Sequence, residues 1–208
     1  MDQRLPPGTK LGEWMLCEIF NVGRRHVAQV LARLAHERLV TIHPNRGAFV
    51  AAPDAAEARS IFEARKIVEP EITRIVAERA TREDLAPLWR NVEAENECRR
   101  TGRTREAIKL SGEFHIVLGE LSANPILAAL IRQLVARTSL IVSLYENQNT
   151  MVCWHDDHRT FLRHVEANRA ASAVASMRRH LTHVEESLDL HQRPGRRFDL
   201  RAIYATAR

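Results

Sequence analysis

The chain has 208 residues, a formal net charge of +5, and 45% hydrophobic but only 5% aromatic residues, a composition typical of a mainly helical protein with one large or two small domains. It contains no apolar run long enough to cross a membrane, no apolar signal-peptide core near its start, and three widely separated cysteines. These features exclude membrane and disulfide-stabilised secreted classes and predict a cytoplasmic protein, while the basic balance permits nucleic-acid binding.

The segment before Pro53 contains the patterns of two short helices and two short strands. The predicted elements are the helices Glu13–Phe20 and Arg24–Glu37 and the strands Leu39–Ile42 and Ala48–Ala51. Turn-forming residues join the two helices at 21–23 and the two strands at 43–47. A helix, a tight turn, a second helix and a hairpin form the layout of a winged helix-turn-helix, so we predict such a domain over residues 1–53.

After Pro53, every periodic segment predicts a helix. The predicted helices cover residues 55–79, 82–101, 104–122, 125–147, 154–168 and 170–191. Thr81 and Asn124 stand immediately before two of them, as N-capping residues do. Six helices of this length predict an antiparallel all-α bundle over residues 54–192, followed by a basic C-terminal tail at 193–208.

One predicted helix carries a histidine on its apolar side. In the stretch LSGEFHIVLGEL, residues 110–121, the leucines, Phe114 and Val117 recur at helical spacing, and His115 shares their side of the helix. Burying an unpaired polar group costs on the order of 1–3 kcal/mol. His115 is therefore either a core histidine with a hydrogen-bond partner or a ligand in a pocket.

The N-terminal segment resembles the GntR family of bacterial transcription regulators. The matching positions are Leu5, Pro7, Gly8 and Leu11, then Val22, Arg24, Val27, Leu31, Leu34, Leu39 and Val40, then Asn45, Arg46, Gly47 and Val50. The resemblance implies that the second helix enters the DNA major groove and that the hairpin acts as the wing. The expected DNA-binding residues are Arg24, Arg25, His26, Asn45, Arg46 and Gly47.

Several departures from the family pattern concern the second helix, where Arg25 and His26 replace the usual small residue and proline. Gly23 replaces the family's serine before the helix and weakens its N-cap, and Ala28 replaces a second arginine. Members of the family also carry a helix before the Leu5 motif, and only four residues precede Leu5 here, so either the sequence begins late or this first helix is missing. Its loss would leave the face around Leu16 and Phe20 less well packed.

The helical half resembles the effector domain of the FadR/VanR branch of the same family, and its six helices favour the VanR type. The matching positions are Glu63, Arg65, Glu69, Phe114, His115, Ser122, Asn124, Asp157, His158, Met177, His180 and Leu181. In that branch an aspartate and three histidines bind a divalent metal. The resemblance implies the ligands His115, His158 and His180, with zinc or nickel as the expected ion.

The family's aspartate ligand is absent, because Ser111 occupies its position. Either the three histidines keep the metal and water or an effector carboxylate completes its coordination, or the metal is lost and His115 binds an anionic effector directly. The resemblance implies a small carboxylate effector, with Arg65, Ser111, Asn124 and Arg137 as the expected contacts.

These motifs together predict a homodimeric, ligand-responsive repressor that binds an inverted-repeat DNA operator, with no membrane association and no enzymatic activity. One alternative is a DNA-binding regulator whose helical domain has lost its metal or its effector. A remote alternative is a three-histidine metal hydrolase, for which the sequence offers no H-E-x-x-H motif and no obvious general base.

Overall fold

The computed structural model describes residues 5–145 and 157–190, and within these ranges it contains eight helices and three strands. In chain order they are β1 Lys10–Leu11, α1 Glu13–Phe20, α2 Arg24–His36, β2 Val40–His43, β3 Gly47–Val50, α3 Ala55–Arg79, α4 Arg82–Arg100, α5 Thr104–Leu121, α6 Pro125–Tyr145, α7 Asp157–Glu166 and α8 Ala170–Glu186. The predicted fold class, a winged helix-turn-helix followed by a helical bundle, is confirmed. Parts of the predicted fourth and fifth helices, the end of the sixth and the basic tail lie outside the described residues.

The winged domain contains an antiparallel sheet with the strand order β1-β3-β2. The hairpin pairs Val40 with Val50 and His43 with Gly47, so both strands are displaced by one residue from their predicted positions. The sequence analysis missed β1, which pairs Leu11 with Ala48. Two residues are too few to show a periodic pattern, and this strand exists only because β3 offers it a partner.

Helices α1 and α2 cover one side of this sheet through a small apolar core. Val27 and Leu31 of α2 and Leu16 of α1 are each at most 7% exposed. The packing expected to be lost at Leu16 is therefore present, whereas Phe20 at the end of α1 is 56% exposed. The turn between the helices is made by Asn21, which adopts a left-handed conformation with φ 51°.

The six helices α3 to α8 form the bundle, in which α3 packs against α8 and α6, and α5 packs against α4 and α6. Gly119 of α5 lies against Ile131 of α6, where an added Cβ would overlap the isoleucine side chain. The absence of a side chain at Gly119 therefore lets the two helices approach closely. By length and composition α6 could cross a membrane, but here it is a bundle helix packed against α3 and α5.

The C-terminal half of α6 also contacts the winged domain. Leu140 packs against the apolar core of that domain, and the buried Tyr145 hydroxyl donates a hydrogen bond of 3.0 Å to the carbonyl of Pro53. The next residue, Asp54, caps α3 by accepting from the backbone N–H of Glu57 at 2.8 Å. The connection between the two domains is thus held by α6 on one side and by a well-formed helix start on the other.

Candidate functional site

Three helices bring the predicted histidines together in the centre of the bundle. His115 lies on α5, His158 on the first turn of α7 and His180 on α8, and each is at most 6% exposed. Their Nε2 atoms converge, with 3.2 Å between His158 and His180 and 3.3 Å between His180 and His115. One ligand atom from each histidine lies within 4.8 Å of the other two, a spacing that one metal ion can bridge.

A carboxylate lies behind each of the three imidazole rings. Nδ1 of His115 is 2.6 Å from Glu69 of α3, and Nδ1 of His158 is 2.8 Å from Glu95 of α4. Nδ1 of His180 is 3.4 Å from Asp157 of α7. At the two short distances, Glu69 and Glu95 accept a hydrogen bond from Nδ1–H, which leaves the lone pair on Nε2 of His115 and His158, the arrangement usual for metal-binding histidines.

The Nε2 atoms of the three histidines therefore face one another, and the lone pairs on His115 and His158 can be shared with an ion that accepts electrons. The residues present fit a divalent ion that accepts imidazole nitrogen, such as zinc or nickel. Three protein ligands leave at least one coordination position for water or another ligand. Nδ1 of His115 has a hydrogen-bond partner, and the ring also lies beside a pocket. The two roles considered for a buried histidine on α5 are therefore compatible.

The pKa values of the buried histidines and glutamates are consistent with neutral imidazole rings that face ionised carboxylates. Burial lowers the pKa of His115 to about 4 and that of His180 to about 3, so both rings are neutral near pH 7. Burial alone would raise the pKa of Glu69, but Arg65 and His115 lower it to about 2. For Glu95 burial is likewise outweighed, by His158 and Arg99, and its pKa falls to about 2.

A cavity of about 30 Å³ lies beside the triad and is bounded by α3, α5, α6 and α8. Its polar lining comes from His115, His180, Arg65, Ser111 and the hydroxyls of α6, and the remainder is aliphatic. The buried Arg65 binds Glu69 through Nε at 2.5 Å, while its Nη2 atom has no hydrogen-bond partner within the described ranges. An unpaired buried guanidinium nitrogen at a cavity is suited to bind an anion.

The other two expected effector contacts lie elsewhere. Asn124 is exposed and caps α6, because its side-chain oxygen accepts from the backbone N–H groups of Ile126 and Leu127. Arg137 forms an ion pair with Glu57 near the start of α3. Neither residue lines the cavity, so the effector site proposed for this cavity does not include them.

The carboxylates that orient the histidines were not predicted from the sequence. Glu69 was part of a matched motif but had no assigned role, and Glu95 and its partner Arg99 were not noticed. The ring of Phe114 stacks on His158 with 4.0 Å between centroids and adds a further constraint on its orientation. Two signals were available: Glu95 lies on the apolar side of α4 with Leu88 and Val92, and Arg99 follows it by four residues, although such pairs are common on helix surfaces.

The expected DNA-binding residues occupy the start of α2 and the tip of the hairpin. Arg24, Arg25 and His26 form the exposed first turn of α2, and Arg24 binds Glu13 at 2.8 Å. Gly23 caps this helix without a side-chain hydrogen bond, as its identity predicted.

At the wing, Asn45 and Gly47 have positive φ angles of 59° and 92°, which shape the tight turn between β2 and β3. Arg46 is exposed between them, with its guanidinium carbon 5.9 Å from the ring centre of Phe49. The exposed cations therefore stand at the two places from which a winged helix-turn-helix contacts DNA.

Comparison with known protein families agrees with this architecture. Residues 1–50 match the bacterial regulatory proteins of the gntR family, and residues 60–183 match the FCD domain. The chain belongs to the GntR family of bacterial transcription regulators. It is a DNA-binding transcription regulator with an FCD domain and not an enzyme, so the hydrolase alternative has no support.

Individual GntR relatives are similar over nearly the whole chain. The regulator LutR of Bacillus subtilis is 25% identical over 88% of this chain and 93% of its own, and the galactonate operon transcriptional repressor of Escherichia coli is 28% identical over 82% and 85%. A GntR regulator from Rhodococcus sp. RHA1 shares the fold with a TM-score of 0.82, at 19% identity over 92% of each chain. For E. coli McbR/YncC the TM-score is 0.75, at 19% identity over 100% of this chain and 94% of that one.

Proposed function

We propose that this GntR regulator is a ligand-responsive repressor whose FCD domain binds a small carboxylate through a divalent metal held by His115, His158 and His180. The observation that carries the proposal is the convergence of three buried Nε2 atoms, two of them on rings bound by Glu69 and Glu95, beside a cavity lined by Arg65, whose Nη2 atom has no partner in the described ranges. The histidines would hold the ion, and the ion would supply an electrophilic centre for an anionic ligand.

The charges around the triad favour an anionic effector. The charges of Glu69 and Arg65 cancel, as do those of Glu95 and Arg99, and Asp157 beside His180 adds one negative charge to this cluster. A divalent ion would therefore leave this cluster with one net positive charge, which one carboxylate would neutralise. Ser111 contributes a neutral hydroxyl where the family has a charged aspartate. The positive charge of the metal-loaded cluster is therefore not neutralised by the protein at this position and can attract the effector.

The cavity limits which carboxylates fit. A volume of about 30 Å³ is enough for a carboxylate with few further atoms, and Arg65 is placed to bind one of its oxygens. Thr138 and Ser139 of α6 line the same space, and their hydroxyls donate to the helix carbonyls of Leu134 and Val135. The oxygen of Thr138 can still accept a hydrogen bond from a hydroxyl group that accompanies the carboxylate on the ligand.

Helix α6 offers a physical route from this cavity to the DNA-binding domain. Thr138 and Val142 line the cavity, whereas Leu140 and Tyr145 on the same helix contact the winged domain and its connection. A ligand that moves α6 would therefore move the winged domain. Such a shift requires different effector affinities for the two arrangements of the domains.

The DNA-binding part of the proposal assigns base and phosphate contacts to Arg24, Arg25 and His26 at the start of α2, and wing contacts to Asn45, Arg46 and Gly47. A homodimer would place two winged domains on an inverted repeat, because a twofold protein matches twofold half-sites. A cytoplasmic location follows from binding the chromosome. Repression is inferred because the similar galactonate regulator is named a repressor.

Thermal unfolding of zinc-loaded and chelator-treated protein in the presence of small carboxylates tests this proposal. We expect a subset of carboxylates to raise the melting temperature of the zinc-loaded protein only, because a ligand stabilises the state that it binds. Stabilisation of the chelated protein alone would favour a metal-free anion site at His115 and Arg65. A zinc-loaded protein that no carboxylate stabilises would favour the regulator without an effector.

A further inference from the structure

The three carboxylates behind the histidines differ in how firmly they are held. Glu69 and Glu95 are at most 4% exposed in their side chains, contact their histidines at 2.6 and 2.8 Å, and are each bound by an arginine. Asp157 is 25% exposed and lies 3.4 Å from Nδ1 of His180. That distance is beyond the usual range for a hydrogen bond between nitrogen and oxygen, about 2.7–3.2 Å.

The same oxygen of Asp157 also faces a second histidine. Oδ2 is 3.4 Å from Nδ1 of His183, whose side chain is 47% exposed. His183 lies three residues after His180 on α8, so both imidazoles project from the same side of the helix. Asp157 thus stands between a buried member of the triad and an imidazole that is open to solvent.

A second, smaller cavity of about 10 Å³ lies on this side of the triad. It is lined by Asp157, Glu95, His158 and His180, together with Arg99, which binds Glu95, and Arg159. The larger cavity, by contrast, has Arg65 and no carboxylate among its lining residues in the described ranges. The smaller cavity thus offers a cation the carboxylates of Asp157 and Glu95 beside its two arginines, whereas the larger cavity offers a guanidinium and no carboxylate.

We infer that Asp157 and His183 form an outer capture pair, through which a divalent metal ion passes from solvent to the three-histidine site. The inference rests on the proposed metal site. A carboxylate oxygen and an imidazole nitrogen suit the same borderline ions as the triad. The long contacts of Asp157 mean that it can turn toward an ion without breaking a short hydrogen bond. His183 then governs how fast the site fills, whereas the buried histidines govern how tightly the ion is held.

Rapid mixing of metal-free protein with Co²⁺, followed by the visible absorbance of the bound ion, tests this role. For His183→Gln we expect the association rate to fall on the order of tenfold, the lower end of what a directing cleft adds. The dissociation rate should fall by the same factor, because the metal ion leaves the site along the same route by which it enters. The equilibrium affinity therefore stays unchanged. His36→Gln, an exposed histidine in the winged domain, serves as the matched control and should not alter either rate.

Each contrary outcome has a distinct meaning. An unchanged association rate in His183→Gln would overturn the capture pair while leaving the three-histidine site intact. A faster dissociation rate with weaker affinity would also overturn it, since His183 would then stabilise the bound ion. Failure of the unsubstituted protein to bind Co²⁺ would overturn the metal site itself and the capture pair with it.

Discussion

Nδ1 of His115 lies 2.6 Å from Oε2 of Glu69, and both side chains are at most 3% exposed. This contact joins α5 to α3 and sets the direction of the imidazole whose Nε2 faces the other two histidines. The second oxygen of Glu69 is bound by Nε of Arg65, so the chain Arg65, Glu69, His115 leads from the cavity to the triad. A single buried carboxylate therefore links the anion-binding side of the site to its metal-binding side.

Replacing Glu69 should weaken metal binding without removing a ligand. We expect Glu69→Gln to lower zinc affinity by about 10–100-fold, the usual cost of losing the group that orients a metal-binding histidine. Competition with a chromophoric chelator measures this affinity. Glu71→Gln, on the same helix but exposed, is the control and should bind zinc as the unsubstituted protein does. Equal affinities for the two variants would show that Glu69 does not position His115.

Restoring a carboxylate at position 111 should change the response to effector. Ser111 lies one turn before His115 on α5, so an aspartate there would face the same space. We expect Ser111→Asp to bind zinc several-fold more tightly and to lose stabilisation by carboxylates, because the site then carries no open positive charge. Ser111→Asn, which has the same shape without the charge, should retain the carboxylate response. Calorimetric titration of both variants distinguishes the outcomes, and a retained response in Ser111→Asp would contradict the charge argument.

The stability of the metal-free protein should fall as the pH is lowered. Burial lowers the pKa values of His115 and His180 to about 4 and about 3, so between these values and 6.5 the unfolded state binds more protons than the folded state. The pKa of Glu69, lowered to about 2, extends the loss below pH 4.5. Because each pKa unit corresponds to about 1.4 kcal/mol, the decline is large relative to the stability of a domain. Urea unfolding from pH 7 to pH 4 measures it, and a flat profile would contradict these pKa values.

DNA binding should depend on the first turn of α2. We expect Arg24→Ala to weaken binding to a DNA fragment selected by the unsubstituted protein by about 1–3 kcal/mol in a gel-shift titration, as the loss of a base contact does. Arg33→Ala, near the other end of the same helix and paired there with Glu37, is the control. Undiminished affinity in Arg24→Ala would contradict the assignment of this turn to the DNA interface.

The close approach of α5 and α6 should depend on Gly119. An added Cβ would overlap the side chain of Ile131, so we expect Gly119→Ala to destabilise the protein by about 1–3 kcal/mol. Gly112→Ala, where the new Cβ would lie 3.2 Å from Val135, should cost less. Chemical denaturation at neutral pH compares the two, and equal stability of Gly119→Ala and the unsubstituted protein would show that α6 shifts to accommodate a methyl group.

Much of the fold could be predicted because local signals mark its boundaries. Asp54 and Thr81 cap α3 and α4 through hydrogen bonds to the first turn, and both helices begin where the sequence predicts. The two strands of the hairpin were displaced by one residue, since their ends depend on cross-strand pairing. Strand β1 carries no pattern of its own and was missed for the same reason.

The residues of the candidate site were harder to predict from the sequence than the fold was. His115, His158 and His180 lie far apart in the chain, and only the family resemblance selected them among ten histidines. Glu95 continues the apolar side of α4 formed by Leu88 and Val92, while Glu93 and Glu97 are exposed, so helical spacing marks Glu95 as buried but does not name its partner. Which carboxylate lies behind which imidazole depends on how α3 and α4 pack against α5 and α7.

The metal content of untagged protein, purified without chelator and dialysed against trace zinc, tests the central claim most directly. Elemental mass spectrometry should find about one zinc or nickel ion per chain, because three oriented imidazoles form a site even with serine at position 111. The same preparation of His180→Ala should contain none. A metal-free protein, even after incubation with zinc and nickel, would contradict the account and leave the three histidines as hydrogen-bonding residues of a metal-free pocket.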